Sequence, residues 1–253
     1  MTEGPLAGIG VLVTRPEHQA DGLVAAIESA GGTAFCLPAI EIVPRDVAAV
    51  EQEIAELNEP DIAIFVSPNA VRFGLAHAGS AQVAAVGPAT AAAIAAAGRD
   101  VDIRPAEGFD SEHLLAEPAL ENVGGKTVRI VRGTSGRELL ADTLRERGAI
   151  VEYLAVYERR RPVVEVDDIE RAWPEGGIDA VTVMSVETLQ NLVAMLPESR
   201  RRSLGETLLV TPAARVIKEA LNLYPGIPTA LAKSPAADDI MATIAEHAPG
   251  RPA

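Results

Sequence analysis

The sequence predicts an α/β protein of two similar units, each a parallel sheet flanked by helices. Two observations predict this class. Apolar runs of a few residues alternate with stretches of helical period, the pattern of strands buried on both faces between covering helices. That alternation then starts again in register farther along the chain.

The elements follow in order. Val11-Leu12-Val13 reads as a strand, and Leu23, Ile27 and Ala30 then share one helical face before Gly31-Gly32 ends the helix. Ile62-Ala63-Ile64-Phe65-Val66 is a second buried run, with a helix opening near Pro68. Val83-Ala84-Ala85-Val86 leads into the alanine-rich helix Ala89 to Ala97, closed by Gly98. Val128 to Val131 precedes a helix carrying Leu139, Leu140 and Leu144, closed by Gly148. Val181-Thr182-Val183 and Leu208-Leu209-Val210 continue the theme.

The repeat is specific. Arg15, Leu23, Ile27 and Gly31 recur at one constant offset, without a gap, as Arg132, Leu140, Leu144 and Gly148. The strand-to-helix junction at Ser67 matches Ser185, and Val86-Gly87-Pro88 matches Val210-Thr211-Pro212. Two further segments, Pro38 to Pro44 and Leu154 to Arg159, are extended and occupy matching places. If they pair, one domain holds residues 1–38 plus 161–253 and the other residues 43–156. A sequential split near residue 120 is the simpler alternative, and periodicity does not choose between them.

Composition removes whole classes of function. At 253 residues and 48% hydrophobic content the chain builds proper cores. Its 22 Lys and Arg against 36 Asp and Glu give a net charge of -14, which argues against nucleic acid as a partner. Cys36 stands alone, so no internal disulfide forms and a reducing compartment is expected; Cys36 and Trp173 read as packing residues. No run approaches the ~20 apolar residues of a membrane span, and the first residues lack the basic and apolar regions of a leader. A cytoplasmic protein is expected, with no membrane partner. His18, His77, His113 and His247 lack ligand spacing, so no metal is expected. Phosphate-cradling glycine loops and a G-x-S-x-G elbow are missing too. The expected chemistry needs no cofactor, and no exposed heptad demands a partner, so a monomer is expected.

What remains is the junctions. Thr14-Arg15-Pro16, Ser67-Pro68-Asn69, Gly87-Pro88-Ala89-Thr90, Ser135-Gly136-Arg137-Glu138, Ser185-Val186-Glu187-Thr188, Thr211-Pro212 and Ser234-Pro235 all follow strands. Each serves as an ordinary cap, and Ser135 with Glu138 has capping-box spacing. Together they mean more. Helix N-termini gather at the carboxyl ends of parallel strands, and their unpaired N–H groups favour an anionic guest. Arg15, Arg132 and Arg137 lie at or just past strand ends, and Arg215 sits in a first turn, where a cation opposes the helix dipole unless an anion shares the space. Arg159-Arg160-Arg161 reads as a solvated face, and Glu51-Gln52-Glu53 and Asp167-Asp168 read as exposed helical starts. Tyr157, near the proposed hinge, either donates a proton to a leaving oxygen or packs.

At these junctions the sequence resembles the uroporphyrinogen-III synthase family. The matching stretches are Val13-Thr14-Arg15-Pro16 with Gln19, Leu23, Gly31 and Pro38; Phe65 to Val71; and Val86 to Ala91. Arg132-Gly133 with Gly136-Arg137-Glu138, Leu140, Leu144, Gly148-Ala149 and Val156 to Arg159 is the most telling; Ser234-Pro235 with Asp238 completes the set. The resemblance implies two lobes joined by a two-stranded antiparallel linker, residues 39–42 and 157–160, with the first lobe built from both chain ends. It implies cofactor-free closure of linear hydroxymethylbilane in a cleft, with inversion of the last ring and loss of water. The position matched by Tyr157 is the one that helps hydroxide depart. Substrate-binding groups are expected at Arg15, Ser67, Asn69, Thr90, Arg132, Gly133, Arg137, Ser185, Thr211 and Arg215. Some members carry a threonine-bearing Gly-Pro turn where this chain has Thr211-Pro212-Ala213-Ala214, so contact there falls to Thr211, Arg215 or the backbone. The rival reading is a bilobed, non-catalytic sensor of an anionic metabolite.

Overall fold

Every apolar run named above forms a strand in the computed structural model, which describes residues 4–248 apart from 109, 137, 164–168, 170–172 and 174–176. Arg137 and Asp167-Asp168 therefore lie outside the described residues. In chain order come β1 (Gly10–Val13), α1 (Glu17–Ser29), β2 (Thr33–Cys36), β3 (Glu41–Pro44), α2 (Val47–Glu56) and β4 (Ile62–Phe65). Next are α3 (Pro68–Gly74), β5 (Gln82–Ala85), α4 (Pro88–Ala96), α5 (Ser111–Leu115), α6 (Pro118–Glu121), β6 (Thr127–Gly133) and α7 (Leu139–Glu146). Then come β7 (Ile150–Arg160), β8 (Ala180–Thr182), α8 (Val186–Met195), α9 (Glu198–Glu206), β9 (Leu208–Thr211), α10 (Ala214–Leu223), β10 (Thr229–Leu231) and α11 (Ala237–His247).

The chain divides into two compact units, residues 1–41 with 160–253, and residues 42–159. The first sheet runs β10-β9-β8-β1-β2 with every pair parallel. The second runs β3-β7-β6-β4-β5, parallel from β7 through β5. A parallel bridge from Ala84 to Ile103 stands beside β5 where β10 stands beside β9. Stripped of β3, the two sheets thus share one strand order, and the sequence repeat is also a repeat of topology. β7 is one continuous strand through Arg160, so residues 157–160 prolong a sheet strand.

Burial on both faces follows from the apolar runs. Along β1, Val11 and Val13 enter one core and Leu12 the other. Along β4, Ala63 and Phe65 face one core while Ile62 and Ile64 face the opposite one. All of these side chains have less than a tenth of their surface exposed, and each large one contributes about 1.5–3 kcal/mol by leaving water.

Local devices are duplicated along with the strands. Gly31 and Gly148 adopt φ of 84° and 83° after α1 and α7, a left-handed region that costs other residues energy. Ser67 and Ser185 cap α3 and α8, each Oγ accepting the N–H three residues on at 3.1 Å. Asp61 accepts the Thr127 N–H at 2.8 Å and Asp179 accepts the Gly10 N–H at the same distance, each tying one strand's approach to the start of the next.

Two expectations are corrected. Ser135 and Glu138 form no capping box: α7 starts at Leu139, and the Glu138 carboxylate is taken by Arg132 and Tyr153. Cys36 is exposed, because β2 is the edge strand of its sheet. Trp173 does pack in the core, and its indole N–H donates to Thr207 Oγ1 at 2.9 Å.

Candidate active site

Parallel strands place their carboxyl ends, and the helix N-termini that follow, along one edge of each sheet. In the second unit that edge carries Ser67 after β4, Gly87 and Thr90 after β5, Gly133 at the end of β6 and Tyr157 on β7. The strand order β7-β6-β4 puts β6 between Tyr157 and Ser67. The phenol reaches across because Gly133 has no side chain: a Cβ there would stand 2.8 Å from the Tyr157 ring. The Tyr157 hydroxyl and Ser67 Oγ are 3.1 Å apart, a hydrogen bond in which either can donate. The ring also packs 6.3 Å from Phe73 at a tilt of 43°. Only 3% of Tyr157 is exposed.

A β-bulge makes this possible. Arg132 pairs with Ala155, but Gly133 pairs with Tyr157, so Val156 is the extra residue. Side chains of a regular strand alternate between faces, and an unbroken β7 would turn Tyr157 toward the side of Tyr153. The bulge sends both Val156 and Tyr157 into the core that holds α3, while Tyr153 packs on the opposite face. The Thr134 N–H then closes the ladder onto the Tyr157 carbonyl at 3.0 Å.

The other expected residues divide into groups. Asn69 and Thr90 are buried in the first turns of α3 and α4, and Gly87, the α4 cap, has no side chain to offer the α4 amides. Arg132 points away from Tyr157. Its guanidinium donates to Glu138 at 3.0 Å, stacks 4.7 Å from the Tyr153 ring centre and lies against Gly136, where a Cβ would be 2.7 Å away. The Tyr153 hydroxyl donates to the other Glu138 oxygen; this bond, followed by Arg132, holds the Glu138 carboxyl below its usual range.

In the first unit the matching edge carries Arg15, Ser185, Thr211 and Arg215. Arg15 donates to the Pro235 carbonyl and approaches Met184 sulfur at 3.6 Å, and burial pushes its pKa down. Its buried Nε has no hydrogen-bond partner among the described residues. Ser185 Oγ also bonds Thr188 Oγ1 at 2.8 Å. Thr211 is fully buried, and its hydroxyl accepts the Ala213 N–H at 3.2 Å. Arg215 is exposed in the first turn of α10.

The sequence singles out Tyr157 and Ser67 but gives no hint of Glu138 as an ion-pair partner, and Tyr153 and Phe73 went unmarked. Aromatic residues are 3% of the chain, so each was a signal in itself. No cluster of His, Cys, Asp or Glu suited to a metal ion occurs among the described residues, and no described helix is long and apolar enough to cross a membrane.

Two α/β units of one topology, each ending its strands at a row of helix N-termini, with a phenol lodged against one of them, define a duplicated α/β protein. The chain belongs to the uroporphyrinogen-III synthase family. The family model described as "Uroporphyrinogen-III synthase HemD" matches residues 21–242. The uroporphyrinogen-III synthase of Salmonella typhimurium is 33% identical over 75% of this chain and 81% of its own. That of Escherichia coli is 31% identical over 85% of this chain and 92% of its own. Among solved structures, a uroporphyrinogen-III synthetase from Helicobacter pylori aligns with a TM-score of 0.62 at 14% identity, over 92% of this chain and 97% of that one. A mutant synthase from Thermus thermophilus gives 0.56 at 20% identity, over 92% and 96%. These two likenesses bear on the fold alone, and it is the same fold.

Proposed function

We propose that this chain closes linear hydroxymethylbilane to uroporphyrinogen III. The first ring loses its hydroxyl, which leaves as water once protonated. The resulting azafulvene cation is attacked by the last ring at its substituted carbon, and the spiro intermediate reopens and recloses with that ring inverted. The single observation that supports this reading best is the Tyr157–Ser67 pair at 3.1 Å on the rim of the second unit. A phenol whose partner is a helix-capping hydroxyl can pass its proton to a departing oxygen and recover one through Ser67.

The remaining expected residues take supporting roles. The first turns holding Ser67, Asn69, Thr90, Ser185 and Arg215, with the backbone beside Gly133 and Thr211, take acetate and propionate arms. Arg15 adds charge beside its turn, and Arg132 orders the end of β6. A net charge of -14 does not oppose this. Exposed charges beyond a Debye length of about 8 Å are screened, whereas a carboxylate on a helix N-terminus gains about 0.3–1 kcal/mol from adjacent N–H groups. Unguided closure gives the uninverted isomer, so holding the last ring matters more than acid–base help. The same reading places the protein in the cytoplasm as a monomer.

The test is to supply hydroxymethylbilane and resolve the products. Type III isomer formed faster than the spontaneous type I is the expected result. Type I alone, from folded protein, refutes the assignment and returns the reading to a sensor.

A further inference from the structure

A bulge interrupts the ladder and leaves backbone groups that need other partners. Here the partner is Arg45, the residue that follows β3. Its main-chain N–H donates to the carbonyl of Val156, the extra residue, at 3.1 Å. Its Nη1 donates to the carbonyl of Ala155 at 2.7 Å. The same nitrogen is 2.7 Å from Glu53 Oε2 on α2, which fixes where the guanidinium stands. One arginine therefore holds both carbonyls that precede Tyr157, from the side of β7 opposite to Gly133. The two side chains of the ion pair are 28% and 36% exposed, and a pair that open to solvent adds little to stability. Its geometry is better explained by what it holds.

We infer that Arg45, braced by Glu53, is a positioning residue for Tyr157: it fixes the bulge that turns the phenol toward Ser67. Arg45 acts through the β7 backbone and touches neither the phenol nor the substrate. The inference rests on the proposed role of Tyr157, and its test separates the two.

The protein holds three tyrosines, so tyrosine labelled at the ring carbon bearing the hydroxyl gives three signals, assignable with a Tyr157→Phe control. Arg45→Met should move the Tyr157 signal and lower kcat about ten-fold, with KM within about two-fold, since small misplacements of a reacting group are expensive. Arg45→Lys keeps a donor within reach of Ala155 and Glu53 and should restore most of both. Gly148→Ala, a destabilising change elsewhere in the same unit, should leave the Tyr157 signal in place. An unmoved Tyr157 signal in folded Arg45→Met overturns the inference, as does a raised KM at unchanged kcat or a Lys variant no better than Met. If the wild-type chain forms no type III isomer, the functional reading fails by itself while the tyrosine signal still decides the role of Arg45.

Discussion

Gly133→Ala separates positioning from proton donation. The added methyl would lie 2.8 Å from Tyr157 Cε2 and 3.0 Å from Cζ. Carbon contacts settle near 3.5–4.0 Å, so the ring must retreat by about 1 Å. A retreat of that size breaks the 3.1 Å bond to Ser67, which has little slack before it ceases to be a hydrogen bond. Overpacking of this kind costs about 1–3 kcal/mol, which at about 2–4 °C per kcal/mol for a chain of this size lowers Tm by about 2–12 °C. A displacement of about 1 Å at a reacting group costs about 100-fold in turnover. Tyr157→Phe, by contrast, leaves the ring where it is and removes only the hydroxyl. If holding the last ring dominates catalysis, its loss stays below the roughly 10²–10⁴-fold of a full general acid. Because the new methyl also crowds the backbone beside Gly133 that is proposed to seat a substrate arm, whereas Tyr157→Phe loses the hydroxyl alone, the expected order is that Gly133→Ala is slower than Tyr157→Phe, in single-turnover assays at 25 °C with the isomers resolved. A folded Tyr157→Phe protein with no activity, or a Gly133→Ala protein at wild-type rate, refutes the reasoning.

Three other outcomes are expected. Substrate affinity should fall only modestly with added salt, because backbone donors rather than exposed cations hold the carboxylates; a steep slope in binding titrations contradicts this. Gly148→Ala should cost about 1–2 kcal/mol through its φ of 83°, since the nearest atom to the new Cβ is an ordinary contact at 3.4 Å; thermal melts measure it, and an unchanged Tm refutes it. Tyr153→Phe removes the largest cause of the lowered Glu138 pKa. A carboxyl lowered on folding stabilises above its unfolded value and loses that contribution as pH falls through its folded value. The Tm gap between wild type and Tyr153→Phe should therefore be present at neutral pH and close below the usual carboxylate range. A gap independent of pH counts against it.

Much of the fold was legible because burial on both faces leaves a coarse trace. Runs such as Ile62 to Phe65 admit few alternatives, and the constant offset from Arg15 to Arg132 announced a duplication that the shared strand order repeats. Of the candidate site, Ser67 and Ser185 were legible as caps because a hydroxyl before Pro68 or Glu187 has a local job. Arg132 showed only its strand-end place. Its engagement with Glu138 and Tyr153 depends on side chains from three elements, which no local pattern encodes.

The bulge marks the deeper limit. Tyr153, Ala155 and Tyr157 alternate as one face of a strand should, and period two assigns both tyrosines to one side of the sheet. The structure divides them, Tyr153 to the Arg132 side and Tyr157 to the Ser67 side, by inserting Val156. The sequence does not mark that insertion by itself: Tyr153 to Tyr157 is one unbroken apolar run, in which Val156-Tyr157 stands out no more than Tyr153-Leu154. It becomes readable only together with Gly133, which clears the path, and Arg45, which takes up the displaced carbonyls, both distant in sequence. The phenol's position is thus a property of three strands at once. Substitutions at Gly133 and Arg45 should accordingly disturb Tyr157 in a coupled, non-additive way, and Gly133→Ala combined with Arg45→Met should cost less than the two single losses multiplied. A double variant whose loss equals that product would mean that the glycine and the arginine act on different parts of the reaction.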